Sequence, residues 1–304
     1  MTMRARSVAI RFLRAGVPPP VAARSCRGEP PTVNVVEATV LGIVQGLTEF
    51  LPISSSGHML FVPRFLGWED PGAAFSAVIQ IGTMAAVVIY FWRDLARILV
   101  TWTRSLWTPG LRGHRDARMG WYIGLGTIPI AVCGLAFKDF IEGPSRNLWL
   151  NAGTLIGMGL LLLVAEWAGS RKREVADLDL RDGLIIGAFQ ALALIPGSSR
   201  SGSTMTGALF LGYTREAAAR YSFLLSVPAV VLSGLFEMRK AFGGGLPVAP
   251  TVVATVVSFA VGYACIAWLL KYLARHSMLI FVYYRLALGG IIMGLLAAGA
   301  VSAT

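Results

Sequence analysis

Gln45-Gly-Leu-Thr-Glu49-Phe-Leu-Pro52-Ile-Ser54-Ser55-Ser56-Gly57-His58 sets an acid, an imidazole and a run of hydroxyls inside otherwise apolar sequence. The apolar segments on either side, 36–51 and 57–66, are too short to cross a bilayer, which takes about 20 helical residues. Two such segments joined by a Pro-Ser-Gly turn predict a helical hairpin that enters and leaves the membrane on one side. The pattern returns later in the chain. Gly187-Ala-Phe-Gln190-Ala-Leu echoes Gly42-Ile-Val-Gln45-Gly-Leu, and Pro196-Gly-Ser198-Ser199-Arg200-Ser201-Gly202 echoes the first turn, between short segments 183–196 and 202–212.

Six apolar runs are long enough to span: about 73–92, 119–137, 147–168, 217–236, 250–272 and 278–300. Three of them separate the two hairpins, so the second hairpin enters from the opposite face, the signature of an inverted-topology repeat. The expected fold is an all-α polytopic membrane protein with six full transmembrane helices and two re-entrant hairpins. It forms one membrane domain, 35–300, made of repeats at about 35–168 and 183–300. Composition agrees: of 304 residues 55% are hydrophobic and 14% charged, and the mean hydropathy is +0.65. A soluble domain would carry about a quarter charged residues.

The net charge of +11 sits outside the apolar runs, which excludes a nucleic-acid groove. Residues 1–34, with Pro18-Pro19-Pro20 and six arginines, read as a basic, disordered extension or as residues upstream of the true start. A cleaved signal peptide needs a longer apolar core than Val8 to Leu13 provides. The 93–118 loop holds Arg93, Arg97, Arg104, Arg112, Arg115 and Arg118, and the 169–182 loop holds Arg171, Lys172, Arg173 and Arg181. The 138–146 loop has only Lys138 and Arg146. Loop charge therefore puts the two richer loops in the cytoplasm and both ends of the core outside, although the N-terminal arginines pull the other way. Cys26, Cys133 and Cys265 have no metal or redox spacing.

Charges within membrane segments are expensive and mark function. Glu49 lies one turn beyond Gln45 and shares its face. His58 follows the first turn and Arg200 occupies the second. Inverted hairpins bring their turns together near the midplane, where helix termini leave N–H groups free for an anion. Arg200 offers a planar fork for phosphate. Glu49 can ligate a hard divalent cation. His58 suits a nucleophile, a general base or a leaving-group acid, and Ser55 a nucleophile if His58 takes its proton. The competing readings are structural: a buried Glu49–Arg200 pair, a His58 that only bonds between helices, and serines that let helices pack closely. Arg285 divides between a structural pair and a phosphate contact. Glu166, Glu237 and Arg239 read as interfacial, and Gln80 and Gln190 as interhelical hydrogen-bonders.

Gln45 to His58 and Pro196 to Gly202 closely resemble the two signature motifs of the bacterial undecaprenyl-diphosphatase (bacitracin-resistance) family, and the resemblance covers about 35–300. It implies hydrolysis of undecaprenyl diphosphate, the lipid carrier of cell-wall synthesis, with magnesium or calcium. Glu49, Ser55, His58 and Arg200 fall on catalytic positions; Ser54, Ser56, Ser199, Ser201 and Gly202 would hold the substrate. Glu49 and Gln45 would hold the metal. At the position of Gln45 the family often has a second glutamate, so the cation would meet less charge here. The implied location is the bacterial inner membrane, with the site open to its outer face. The expected partner is a polyprenyl diphosphate lipid, with no nucleic acid, and the sequence leaves the oligomeric state, a homodimer among the options, open. The rival reading is a polyprenyl-phosphate translocase, since broken helices at the midplane also build transporters.

Overall fold

The computed structural model describes residues 33–137, 147–241 and 246–302, with the backbone alone for 233–241. Most of the expected N-terminal extension, Cys26, the 138–146 loop and the side chains of Glu237 and Arg239 lie outside the described residues. Within them the chain forms eleven α-helices: α1 (Val35–Phe50), α2 (Ser55–Phe65), α3 (Gly72–Tyr90), α4 (Trp92–Trp107), α5 (Arg115–Ala136), α6 (Leu148–Ala168), α7 (Leu180–Ala191), α8 (Arg200–Phe210), α9 (Arg215–Ala241), α10 (Val248–Leu273) and α11 (Leu279–Ala297). Among the described residues α3, α5, α6, α10 and α11 are long and apolar enough to cross a membrane. The expected 217–236 span lies within α9, which opens on Arg215, Glu216 and Arg220.

The two hairpins form where the short apolar segments predict. A capping box starts α1: the Asn34 side chain accepts from Glu37 N at 2.9 Å and the Glu37 carboxylate accepts from Asn34 N at 3.0 Å. Leu51, which precedes Pro52, is extended and ends the helix. A second capping box, Asp179 with Asp182, starts α7. That helix tightens into a 3-10 turn at Leu192–Leu194 before Pro196.

Small residues let the short helices seat. α1 packs along α10, and α7 along α5. A Cβ at Gly42 would stand 2.6 Å from the Ala254 carbonyl oxygen, and one at Gly46 2.8 Å from the Val261 side chain. The approach is therefore backbone to backbone, as small-residue stripes permit between membrane helices. Gly42→Ala is expected to lower stability by about 1–3 kcal/mol, read as a lower unfolding temperature in detergent. An unchanged temperature would show that α1 shifts freely on α10.

One expectation is overturned. The 93–118 stretch is not a loop: α4 and a 3-10 turn at Pro109–Leu111 occupy it, and α5 begins at Arg115. Arg93, Arg97 and Arg104 fall at helical spacing between Trp92, Leu95, Leu99, Trp102 and Leu106. An amphipathic helix has that period, and it is hidden when only the density of charge is read.

Candidate active site

The two turns have the same local geometry. Ser54 and Ser199 have φ of 75° and 70°, a region rarely adopted by side-chain-bearing residues. Each caps the helix that follows: Gly57 N donates to Ser54 Oγ at 3.4 Å, and Gly202 N to Ser199 Oγ at 3.1 Å. Each cap hydroxyl also meets the serine two residues on, Ser54 with Ser56 and Ser199 with Ser201, both at 3.2 Å. Such backbone states cost about 1–3 kcal/mol each and persist where surrounding contacts hold them. By this register Arg200 matches Ser55, and Ser203 matches His58. Gly197, at φ 88°, absorbs the one extra residue of the second turn.

The turns meet. Gly197 N donates to Ser56 Oγ at 3.4 Å, and Ser201 Oγ to the Leu51 carbonyl at 3.0 Å. Arg285 on α11 binds them together: Nη1 donates to Pro52 O at 3.2 Å, and Nη2 to Gly197 O at 3.3 Å and Ser198 O at 2.9 Å. Its Nε reaches Leu155 O on α6 at 3.2 Å. The residue is fully buried, and no carboxylate among the described residues pairs with it. In place of the expected ion pair, Arg285 forms a carbonyl clamp between the hairpins.

Glu49 is the hub of the polar cluster. One oxygen accepts from Ser55 Oγ at 2.7 Å and from Gln45 Nε2 at 3.0 Å. The other accepts from Gln80 Nε2 at 3.4 Å and pairs with the Arg200 guanidinium. The Glu49 side chain is 6% exposed and that of Arg200 17%, so the pair is screened from solvent without being sealed. Both line a cleft that also takes in Thr83, Ser222, Phe223 and Ser226. Thr204 of α8 meets Ser222 of α9 at 2.5 Å at its edge.

His58 is placed differently from the expectation. Its Nδ1 lies 2.6 Å from the Ser54 carbonyl and its Nε2 2.7 Å from the Tyr284 hydroxyl, against whose ring it stacks. A carbonyl only accepts, so Nδ1 carries a proton and donates it to Ser54 O. The proton of Ser55 faces Glu49, not His58. The imidazole bonds back to its own helix cap four residues earlier, which turns it toward α11.

Gln80 is the interhelical hydrogen-bonder expected, donating from α3 to Glu49 on α1 at 3.4 Å. Two further expectations change. Gln190 has no hydrogen-bond partner among the described residues, although it matches Gln45 in the repeat; the residue matching Glu49 is Leu194, so the second hairpin lacks the acid. Glu166 is buried at 2% exposure and pairs with Arg215 and Arg171, so it is not an interfacial surface acid.

The base of the second hairpin, where α7 starts and α8 ends, is tied together. Arg173, from the loop after α6, donates to Asp182 at 2.5 Å, to Leu211 O at 3.2 Å and to Asp177 O at 3.0 Å, and lies 4.5 Å over the Tyr213 ring. The Asp182 hydrogen bond holds the guanidinium of Arg173 above its ordinary value. Burial pushes the Tyr213 phenol up, and its bond to Asp182 adds to the shift.

Sequence reading missed Thr83, Thr204, Ser222 and Tyr284. Tyr283-Tyr284 beside an intramembrane arginine was a signal for the last; the others are ordinary polar residues on helices and carry none.

Among the described residues no three of His, Cys, Asp and Glu come together as a metal site. The donor set around Glu49 is one carboxylate, two carboxamides and a hydroxyl. These hard oxygens suit magnesium or calcium when substrate phosphate oxygens complete the shell.

A family model described as bacitracin resistance protein BacA matches residues 38–291, a stretch that includes every residue of the cluster. The undecaprenyl-diphosphatase of Thermobifida fusca is 54% identical over 268 residues, which is 88% of this chain and 92% of that protein. Undecaprenyl-diphosphatase 2 of Streptomyces avermitilis is 52% identical over 279 residues, 88% of this chain and 96% of the relative. The undecaprenyl-diphosphatase of a Nocardioides species is 52% identical over 277 residues, 89% of this chain and all of the relative.

Proposed function

The chain belongs to the family of the bacitracin resistance proteins, and we propose that it hydrolyses undecaprenyl diphosphate with the Glu49–Ser55–Arg200 cluster as its reaction site. The products are undecaprenyl phosphate and inorganic phosphate. The observation that carries this reading is that Glu49 binds both Ser55, from its own hairpin, and Arg200, from the other, with Glu49 and Arg200 lining one cleft. The architecture behind it is a pair of inverted repeats with six crossings and two re-entrant hairpins. The cleft faces the outer side of the bacterial inner membrane.

The roles follow from the contacts. The diphosphate exchanges with Glu49 for the fork of Arg200, which neutralises charge on the transferring oxygens. Free N–H groups in the first turns of α2 and α8, with Ser54, Ser56, Ser199, Ser201 and Gly202 shaping those turns, add donors. Ser55 Oγ attacks the terminal phosphorus and its proton passes to Glu49 at 2.7 Å. The bond to the bridging oxygen breaks, undecaprenyl phosphate leaves, and water then releases phosphate from the serine. Glu49, Gln45 and Gln80 would hold the magnesium or calcium ion, which when bound neutralises the diphosphate and polarises it. His58 holds the Ser54 carbonyl, and so the start of α2, in place. No observation favours the translocase alternative.

The test is phosphate release from undecaprenyl diphosphate by the purified protein in detergent with magnesium. Release that survives Ser55→Ala, Glu49→Gln and Arg200→Ala would move the chemistry elsewhere. Two narrower predictions arise here. Gln45→Glu is expected to lower the magnesium concentration for half-maximal activity by about ten-fold, as a second carboxylate should; unchanged magnesium dependence would remove Gln45 from the metal shell. Tyr284→Phe is expected to lower kcat/KM by about three- to ten-fold, the effect of one lost neutral hydrogen bond. A loss of thousands-fold would instead put Tyr284 in the chemistry.

A further inference from the structure

α4 has three faces, as successive residues turn by about 100°. Leu95, Ile98 and Trp102 face α5, where Trp102 packs edge to face on Trp121 at 5.5 Å and fills the space above Gly120. A second face presents Trp92, Leu99, Leu106 and Trp107 outward, with Trp107 78% exposed. A third, about a third of a turn away, carries Arg93, Arg97 and Arg104, all exposed. Arg97 is held by Asp94 at 3.1 Å and Asp116 at 2.9 Å. Arg93 and Arg104 form no ion pair with any described residue.

These faces fix where the helix sits. Exposed arginines are costly in hydrocarbon, and exposed tryptophan and leucine are costly in water. Both are satisfied only at the membrane–water boundary, where Trp is enriched. Sixteen residues make a helix of about 24 Å, short of the hydrocarbon thickness of about 30 Å. Asp94 reaches Arg220 near the start of α9 at 2.5 Å, and Arg97 reaches Asp116 at the start of α5. These contacts tie α4 to the starts of α5 and α9, beside the exposed Arg112, Arg115 and Arg118.

We propose that α4 lies in the headgroup layer and that Arg93 and Arg104 bind the phosphates of anionic phospholipids. A lipid surface fits because the apolar face and the arginine row adjoin along one helix, so both are engaged at once. An acidic soluble protein would meet the arginines but leave the tryptophans uncovered.

The test reconstitutes the full chain in phosphatidylcholine vesicles carrying traces of spin-labelled phosphatidylglycerol or spin-labelled phosphatidylcholine. The motionally restricted fraction of each label reports its affinity for the protein surface. The expected result is a preference for phosphatidylglycerol that weakens in 1 M salt. In the Arg93→Gln/Arg104→Gln double variant that preference falls by about five-fold or more, while phosphate release in detergent, which reports the fold, stays at the wild-type level. No preference in the wild type, an undiminished preference in the double variant, or one indifferent to salt would each overturn the proposal.

Discussion

Arg200→Lys is expected to lower kcat for phosphate release by about 10²-fold while the protein unfolds at the wild-type temperature. Lysine keeps the charge that balances Glu49, so the buried carboxylate is not left alone and the cleft stays assembled. It loses the planar fork, which can address two phosphate oxygens at once, and a point charge on a flexible stem does not replace it. The size follows from what one preorganised donor to a developing oxyanion contributes. The measurement is kcat and KM for undecaprenyl diphosphate in detergent beside a thermal melt. A lysine variant with near wild-type kcat would show that Arg200 is only the ion-pair partner of Glu49, the structural reading that the sequence left open.

Arg285→Met is the second large effect, and it acts through the fold. The guanidinium donates to four backbone carbonyls, Pro52, Leu155, Gly197 and Ser198, drawn from both turns and from α6. Methionine fills much of the volume but leaves those carbonyls without their charged donor in a dry interior. The loss is on the order of 4 kcal/mol, read as an unfolding temperature lower by about 10 °C together with loss of activity. Arg285→Lys is not expected to rescue it, because one ammonium cannot reach four carbonyls spread round a plane. A methionine variant that melts normally but cannot bind substrate would make Arg285 a phosphate ligand instead.

The hairpins were legible in the sequence because they break two rules at once. Apolar segments too short to cross, joined by Pro, Ser and Gly, leave few other structures, and α1, α2, α7 and α8 appear at those segments. Glu49 and Arg200 were legible because an isolated charge in apolar sequence has to find a partner, and the partner proved to be each other. His58 was visible as a special residue but its direction was not. A helix cap four residues back and a tyrosine 226 residues ahead decide where the imidazole points, and no local pattern encodes the second. Arg285 failed for the same reason: its partners are backbone carbonyls, which every residue has. The helix α4 was lost to reading arginines as loop charge without asking for their period.

The repeat also carries an asymmetry of function. Both turns share backbone angles and serine caps, yet Ser55 faces Arg200 in register, His58 faces Ser203, and Glu49 faces Leu194. The acid and the hydroxyl bonded to it belong to one hairpin, and the guanidinium belongs to the other. A single site is then completed only when the two halves meet.

That claim is tested most directly by a double-mutant cycle on kcat/KM for phosphate release, using Glu49→Ala, Arg200→Ala and the double variant. If both side chains serve one site, each single change removes most of the activity and the double variant is no more than about ten-fold worse than the poorer single, because residues acting as a unit do not add. A double variant whose loss equals the product of the two single losses would mean that the hairpins contribute to separate events, and the shared phosphate site would be wrong.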